Sequence, residues 1–190
     1  MKKFITLAVI LATVSMANAQ LKTGNFLIGS DIAGFRLALN DENTFHIDLS
    51  PKAAIFVRPN LALGAYLRFE LTTAKEAGTD IGYGLGALGR YYISDPKINV
   101  LRHSRFFFEG TVGIDGNNPA SGDNTNGLGV GFGPGLAYFI TPNVGLETML
   151  KYQGIVGFGQ RVTTSELMLS VGLQIYLPFS RAEERIKENQ

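Results

Sequence analysis

The sequence predicts an all-β fold, an eight-stranded antiparallel up-and-down transmembrane β-barrel. Three observations support it: a repeated hairpin, eight segments of alternating polarity, and aromatic residues near the ends of those segments. The segment from Phe56 to Gly64, FVRPNLALG, returns as FITPNVGLE from Phe139 to Glu147. Each copy places a tight Pro-Asn turn between two alternating strands. Short turns at one end of a sheet and long polar loops at the other are typical of small outer-membrane barrels.

The N-terminus has the features of a secretory signal peptide. Lys2 and Lys3 precede a short apolar run, and Ala17-Asn18-Ala19 provides a cleavage site. The run has about eleven residues, whereas a spanning helix needs roughly 20, so a retained anchor is the weaker alternative. We therefore expect three regions: a signal peptide at 1–19, the barrel at 20–179, and a short polar periplasmic tail at 180–190.

Composition excludes several classes of protein and site. The chain has no cysteine, which rules out disulfides, thiolate metal sites and thiol nucleophiles. Its formal charge of +1 comes from 17 basic and 16 acidic residues spread along the chain, so no basic block indicates nucleic acid. No segment after residue 20 keeps an apolar period of 3.6 residues, which argues against helical bundles and helical membrane proteins.

The first four strands are assigned by their alternation. Strand one, about Asn25 to Ala33, has Phe26, Ile28 and Ile32 on one face, and its phase slips near Gly34, where we expect a bulge. The apolar faces of strands two to four carry Phe45, Ile47, Leu49, Ala53, Ile55 and Val57; Leu61, Leu63, Ala65, Leu67, Phe69 and Leu71; and Ile81, Tyr83, Leu85, Ala87, Tyr91 and Ile93. The opposite faces carry glycines, Tyr66, Leu88 and charged residues.

The last four strands continue the pattern. Their apolar faces carry Phe106, Phe108, Val112 and Ile114; Leu128, Val130, Phe132, Leu136, Tyr138 and Ile140; Val144, Leu146, Leu150 and Tyr152; and Leu167, Leu169, Val171, Leu173, Ile175 and Leu177. Strand six has glycines at 129, 131, 133 and 135 on its other face, and strand seven has Glu147, Met149 and Lys151 there. Pairing small residues with large ones is how narrow barrels fill their interior.

Aromatic positions indicate that the apolar face meets lipid, because a soluble sandwich also alternates. Phe45, Phe69, Tyr83 and Tyr152 lie toward the long loops, and Tyr91, Phe106, Tyr138 and Phe179 toward the short turns. Two such rings are the interfacial girdles of a membrane barrel. Tyr83 and Tyr91 are separated by about 26 Å of strand, or roughly 20 Å of height after a tilt of about 40°, close to an apolar band of about 25 Å.

Turns and loops set the expected orientation. Pairing Val57 with Leu61, and Ile140 with Val144, leaves three-residue turns that contain Pro59 and Asn60 in the first hairpin and Pro142 and Asn143 in the second. We expect these to be periplasmic turns. The polar loops would lie outside the cell, with Asp115 to Asn126 as the main contact surface for an extracellular ligand.

A charge network is predicted inside the barrel. Eight strands leave room for side chains and none for a wide channel. The inward-facing charged residues are Asp48, Lys52, Arg68, Glu70, Arg90, Glu109, Glu147, Lys151 and Glu166. Because burial of an unpaired charge costs several kcal/mol, we expect them to pair and to fill the lumen. A purely structural network is the favoured interpretation.

The chain from residue 20 onward resembles the small outer-membrane β-barrels of the OmpA and OmpX type. The resemblance is carried by the two Pro-Asn hairpins, by Gly82 to Tyr92 and by Gly127 to Ile140. In the last strand Ser170, Gly172, Ile175 and Leu177, with Phe179 after them, are similar to the signal that the barrel-assembly machinery recognises. Family barrels end at the final aromatic residue, whereas here a polar tail follows. The resemblance implies an outer-membrane location, contact with lipid and a monomer.

Two motifs suggest chemistry that we do not expect. Gly84-Leu85-Gly86-Ala87-Leu88-Gly89 matches a dinucleotide-binding pattern, yet it continues into a strand and not a helix. His46, Asp48 and Ser50 supply the residue types of a hydrolytic triad on one strand face, where parallel side chains do not converge. The histidines, His46 and His103, are predicted at opposite ends, which argues against a histidine metal site.

The resulting prediction is a structural or surface-interaction barrel without cofactor, metal or catalytic residues. The family it resembles also contains adhesins, narrow porins and lipid-modifying enzymes, and fold alone does not choose among them. A narrow porin for small solutes or ions is the first alternative. An outer-leaflet lipid hydrolase is the second.

Overall fold

The computed structural model describes residues 21–37, 45–74, 78–93, 104–121, 124–158 and 164–178. The expected signal peptide, the 180–190 tail, Phe179, His103, and the predicted loop at 40–43 lie outside these residues. The described chain forms eight strands, which we number in chain order: β1 Phe26–Leu37, β2 Phe45–Arg58, β3 Leu61–Ala74, β4 Gly78–Ile93, β5 Ser104–Asn118, β6 Thr125–Thr141, β7 Val144–Gly157 and β8 Thr164–Leu177.

Each strand pairs antiparallel with its neighbours in the sequence, and β1 also pairs with β8. This closes the sheet into a barrel, and the predicted fold class is confirmed. Closure removes the unpaired edges that an open sheet would expose. We call the end that carries the Pro59-Asn60 and Pro142-Asn143 turns the turn end, and the opposite one the loop end.

The register of the two repeated hairpins is as predicted except at the turn. Ile55 pairs with Leu63 and Tyr138 with Leu146, as expected. The last pairs are Arg58 with Leu61 and Thr141 with Val144, so the prediction of a three-residue turn is wrong. Near the end of β2, and again near the end of β6, a bulge absorbs one residue. Each turn is therefore left with two residues.

The two turns differ in backbone conformation despite their shared sequence. Asn60 has a φ of 67°, and among the described residues other than glycine it alone has a positive φ. Proline followed by a positive-φ asparagine suits a type II turn. The amide of Asn60 donates to the carbonyl of Leu21 at 3.0 Å, which ties this turn to the N-terminal segment.

Strand β1 contains the predicted irregularity. Its register against β2 shifts between Ala33 and Arg36, close to Gly34. The strand continues to Leu37, four residues beyond the expected end at Ala33. Before the shift, Ile28 and Ile32 share the exposed outer face, as predicted, and Asp31 between them is buried.

The strands are also longer than expected at the loop end. The interpretation of Asp115 to Asn126 as one loop is wrong, because β5 extends to Asn118 and β6 begins at Thr125. Asp115 pairs with Gly84 and Gly127, and its side chain is inside the barrel. The remaining described part of this connection begins at Pro119, and Ala120 donates its amide to Asp80 at 2.6 Å.

The outer face of the barrel is apolar along its length. Every strand from β1 to β8 exposes large hydrophobic side chains, among them Leu85 at 60 % and Ile114 at 62 %. Phe69 pairs with Tyr83 toward the loop end, and Tyr91 with Phe108 toward the turn end. Soluble monomers rarely expose a continuous apolar surface of this extent.

In the part of the chain described above, no helix has the length and apolar character needed to cross a bilayer.

Candidate functional site

The lumen at the turn end is filled by an aromatic layer. Its members are Phe56, Tyr92, Phe107, Phe139 and Tyr176, all 6 % exposed or less. Ring centroids are separated by 5.8 Å for Phe56 and Tyr92 and by 5.0 Å for Phe139 and Tyr176. These are the spacings of favourable aromatic pairs. The layer therefore fills the lumen at this end with packed rings.

The N-terminal segment seals the same end. Leu21 is 4 % exposed and belongs to the same apolar cluster as the aromatic rings. The amide of Gly24 donates to the carbonyl of Phe56 at 2.7 Å, and the amide of Phe56 donates to the carbonyl of Asn25 at 2.8 Å. The segment thus continues the sheet beside β2 while its leucine fills the lumen.

Next to the aromatic layer lies a cluster of buried charges centred on Arg90. Its guanidinium donates to Glu109 at 2.6 and 2.9 Å and to Glu147 at 2.7 and 2.9 Å. Lys52 donates to Glu109 at 2.9 Å and to Asp31 at 2.5 Å. These five side chains come from strands around the whole barrel, so their pairing locks distant strands together. Charges this deeply buried are tolerated only when paired in this way.

Tyrosine hydroxyls link the charge cluster to the aromatic layer. Tyr176 donates to Glu147 at 2.6 Å, and its oxygen lies 2.8 Å from that of Tyr92. Because the single proton of Tyr176 is already engaged, Tyr92 donates to Tyr176, and Arg90 donates to Tyr92 at 3.0 Å. This series of hydrogen bonds satisfies the hydroxyls of both tyrosines, as buried polar groups require.

Gln174 is the exception. Its amide nitrogen donates to Asp31 at 2.9 Å, while its carbonyl oxygen is buried with no hydrogen-bond donor among the described groups. The side chain is fully buried. A single water molecule would satisfy this acceptor, as is common for buried polar atoms.

A third layer contains Lys151 and Asp115. The ammonium of Lys151 lies 5.4 Å from the centre of the Tyr66 ring, a cation–π distance. Asp115 accepts from Tyr66 and from Gln153, each at 3.2 Å. Glycines at 84, 129 and 131 face this layer, and an added Cβ at each would meet Asp115, Thr111 or Lys151. The glycines provide the space that these long side chains occupy.

At the loop end, Arg68 binds three carboxylates. It donates to Asp48 at 3.0 Å, to Glu70 at 2.8 Å and to Glu166 at 2.9 Å. The Glu166 side chain is 50 % exposed, so this layer forms the open mouth of the lumen. Cavities of about 430 Å³ and about 150 Å³ adjoin it, and both are lined by Arg68, Glu70 and Glu166.

The structure places all nine predicted charged residues inside the barrel or at its mouth. Seven are buried, Glu70 is half-buried and Glu166 is exposed at the rim. Asp48 pairs with Glu70 and is bonded to Arg68, as the register predicted. Lys151, expected to pair with a carboxylate, contacts Tyr66 instead.

Sequence reasoning missed several members of these layers. Asp31 lies just before the slip in β1, and Asp115 lies in a stretch rich in turn residues. Tyr92 and Tyr176 follow the inward parity of their strands, which would have identified them, as it did Gln174.

The motifs that suggested other chemistry lie within strands of the barrel. Gly84 to Gly89 lie within β4. The Nδ1 atom of His46 lies 2.6 Å from the hydroxyl of Thr72, and Ser50 donates to Asp48 at 3.1 Å, so the three residues do not form a triad. Among the described residues, no group of three or more histidines and carboxylates is arranged to hold a metal ion.

Solved structures with the same fold include several small eight-stranded outer-membrane barrels. Neisserial surface protein A has a TM-score of 0.55 and 16 % sequence identity, covering 82 % of this chain and 98 % of that one. The N-terminal barrel domain of OprF from Pseudomonas aeruginosa has a TM-score of 0.48 and 13 % identity, and the match covers 80 % of this chain and 97 % of that one. Ail from Yersinia pestis has a TM-score of 0.46 and 14 % identity, and the match covers 80 % of this chain and 99 % of that one. The chain matches no protein-family model and no curated protein. At these identities the likeness establishes the fold alone.

Proposed function

We propose that the chain is an integral outer-membrane β-barrel with a structural or surface-interaction role, and that its lumen does not conduct. The observation that carries this proposal is the combination of an apolar outer face with a lumen blocked by two successive layers. Lipid is the partner that an apolar face requires, and a membrane barrel buries its polar backbone groups by closure. The turn end, which carries the two short turns, would face the periplasm, and the loop end would face outside.

The blocked lumen favours this role over a narrow porin. An ion entering at Arg68 would have to pass the paired charges around Arg90 and then the aromatic layer around Tyr92. Opening that path requires breaking ion pairs whose members are nearly inaccessible to solvent. We therefore assign the charge network a structural role and leave recognition to the rim and loops at the loop end.

Planar-bilayer recording tests this proposal. The purified barrel should insert without conductance steps. Channels should appear only when both layers are opened, by Tyr92→Ala and Phe107→Ala together with Arg90→Ala. The neighbouring residue Tyr91 points outward at 54 % exposure, so Tyr91→Ala is the matched control and should stay silent. Regular conductance steps in the unchanged protein would instead favour the porin.

Membrane placement has a separate test. The protein should fractionate with the outer membrane, and its gel mobility should change on boiling, as for folded barrels. Recovery in the soluble periplasm without a mobility shift would contradict the membrane proposal.

No catalysis is part of this proposal. His46 and Ser50 have other hydrogen-bond partners, Thr72 and Asp48, and do not bond to each other. A lipid hydrolase would leave shortened lipid A after overexpression, which mass spectrometry detects. We expect the lipid A profile to be unchanged.

A further inference from the structure

The two copies of the Pro-Asn hairpin differ in charge at one exposed position. Arg58 precedes the first turn and Thr141 the second, and they pair with Leu61 and Val144 in equivalent registers. Both Arg58 and Thr141 are exposed. The first copy therefore carries a cation where the second carries a neutral hydroxyl.

The N-terminal segment brings a second cation to the first turn. Two backbone hydrogen bonds, at 2.7 and 3.0 Å, hold residues 21–24 antiparallel to residues 56–60. Leu21 fills the lumen, whereas Lys22 after it is exposed. Lys22 therefore lies beside the turn that Arg58 precedes. We call Lys22 and Arg58 the cation pair.

Arg58 lies at the outer wall, beside an aromatic residue of the turn end. It pairs with Leu61, and Leu61 pairs with Tyr91, whose side chain points outward at 54 % exposure. Because a bulge sets two residues opposite one, Val57 and Arg58 both lie beside Leu61. Outward tyrosines near the strand ends of a membrane protein lie at the level of the lipid head groups. In the proposed membrane barrel, Arg58 is therefore at head-group depth.

The exposed charges at the turn end are positive. Among the described residues, the exposed charged side chains at this end are Lys22 and Arg58, and neither forms an ion pair with a described carboxylate. Arg105 is a third cation there, 9 % exposed, and donates to the carbonyl of Ser104 at 2.8 Å. The carboxylate of Glu147, three residues into β7, is buried. The described part of this end therefore offers no accessible carboxylate.

Charges in the undescribed segments that adjoin this end do not reverse the balance. By sequence, the connection between β4 and β5 adds two basic residues, Lys97 and Arg102, and one acid, Asp95. The chain after β8 adds three basic and three acidic residues, and the residues before Leu21 include two lysines and no acid. The turn end as a whole is therefore basic and attracts anions.

We propose that the cation pair binds the phosphate of an anionic phospholipid in the leaflet that meets the turn end. The guanidinium of Arg58 donates to the phosphate oxygens, and the ammonium of Lys22 adds a second positive charge. The acyl chains of the lipid pack on the outward side chains of Val57 and Tyr91.

The position of Arg58 favours a lipid phosphate over a soluble one. An arginine at head-group depth keeps its stem on the apolar wall while its guanidinium reaches the phosphates. In the proposed orientation this is the periplasmic leaflet. In a zwitterionic membrane the pair has no anionic partner, so replacing Arg58 there should leave folding and stability unchanged.

This inference rests on the proposed membrane barrel, because it needs the turn end to meet a lipid leaflet. The test uses the full chain in nanodiscs of phosphatidylcholine that contain a minor fraction of phosphatidylglycerol. Failure to insert with a heat-dependent mobility shift would count against the proposed function. Insertion without a preference for phosphatidylglycerol would count against this inference alone.

An introduced tryptophan reports which lipid lies beside the cation pair. The chain has no tryptophan, so Tyr91→Trp gives a single fluorescence signal on the outer wall beside Leu61. Chain-brominated lipids quench this signal on contact. The quenching by brominated phosphatidylglycerol relative to brominated phosphatidylcholine gives the relative association constant of the two lipids. Tyr138→Trp, at a residue 51 % exposed beside the second hairpin, is the matched control. We expect a preference for phosphatidylglycerol at position 91 and little or none at position 138.

Variants of the cation pair should remove the preference. Arg58→Thr and Lys22→Gln should each lower the relative association constant at position 91 about fivefold, which corresponds to roughly 1 kcal/mol per basic residue near an anionic surface. Arg58→Thr combined with Thr141→Arg keeps the net charge and should move the preference from position 91 toward position 138. Added salt should weaken the preference, because exposed charges are screened. Heat-dependent mobility verifies that each variant is folded.

Three results would overturn the proposal. A preference that stays at position 91 in the Arg58→Thr, Thr141→Arg protein would show that net charge alone attracts the lipid. An equal preference at positions 91 and 138 would remove the cation pair as the site. Loss of the preference on adding soluble glycerol phosphate at the concentration of the lipid would make a soluble phosphate the ligand.

Discussion

Arg90 donates two hydrogen bonds to Glu147 across the lumen, at 2.7 and 2.9 Å, and both side chains are 2 % exposed or less. The two residues lie on β4 and β7, which are not neighbours in the sheet. Their pairing therefore connects opposite walls of the barrel. Arg90 also donates to a second carboxylate, that of Glu109. The lumen is held by contacts that the strand ladder alone does not provide.

Removing Arg90 should strongly destabilise the barrel. We expect Arg90→Met to lower the free energy of unfolding by about 3–5 kcal/mol, because Glu109 and Glu147 lose a shared partner in a buried site. Urea titration of the protein in lipid vesicles, followed by gel mobility, measures the loss. The control Arg58→Met changes an exposed arginine at the first turn and should have little effect. Equal stability of the two variants would show that the lumen network contributes nothing.

The two copies of the Pro-Asn turn should respond differently to the same substitution. Asn60 is in the left-handed region, where a β-branched residue is disfavoured, so Asn60→Val should cost about 1–2 kcal/mol. Asn143 occupies the matching position without a positive φ, and Asn143→Val should cost less. The comparison uses unfolding free energies of the two single variants. A larger loss at position 143 would contradict the backbone difference between the turns.

A glycine on the inner wall of β6 should be irreplaceable. A Cβ added at Gly133 would collide with the backbone carbonyl of Leu150 on β7, so Gly133→Ala forces the strands apart. We expect a loss of about 1–3 kcal/mol. At Gly110 on β5 an added Cβ would meet nothing within 4 Å, so Gly110→Ala is the matched control. Unfolding titrations in the same vesicles should separate the two; similar losses would contradict the packing argument.

Charge on the outer face tests which side of the wall meets lipid. Leu85 is 60 % exposed, pairs with Ile114, and lies between the two aromatic ends of β4. Leu85→Arg should therefore lower stability, though by less than the roughly 2–4 kcal/mol expected for arginine at the bilayer midplane, because Leu85 lies closer to Tyr83 than to Tyr91. Thr79→Arg, on an exposed residue at the loop end, should be tolerated. If arginine were harmless at position 85, the apolar face would not be the one in lipid.

Much of the lumen could be predicted because side chains alternate strictly along a strand. Once a few leucines fix the parity of β3 or β8, the inward positions follow, which is why Arg68 and Glu166 were found. The same parity gives the partner of Asp48 once the first hairpin is aligned.

The errors occur where the alternation of apolar and polar residues is interrupted, or where the outward positions of a strand are no longer apolar. Asp31 lies next to the slip in β1, where the parity of the strand is hard to read from sequence. Asp115 follows an apolar stretch and precedes Gly116 and two asparagines, a composition typical of a loop. Beyond the apolar band, however, a barrel strand has no need of hydrophobic residues, so β5 continues while its composition becomes polar. The two-residue turns were missed because a bulge leaves no mark on the alternation that precedes it.

The short seam between β1 and β8 has a mechanical consequence. It joins eight residue pairs, whereas β3 and β4 share fourteen. Phe26 and Leu177 pair at the turn end, so a force applied to the two ends of the chain should open the barrel here first, from the turn end toward Ala33 and Ser170. The eight strands would stay together as an open curved sheet, so single-molecule traces should show an early, low-force step ahead of the main unfolding event.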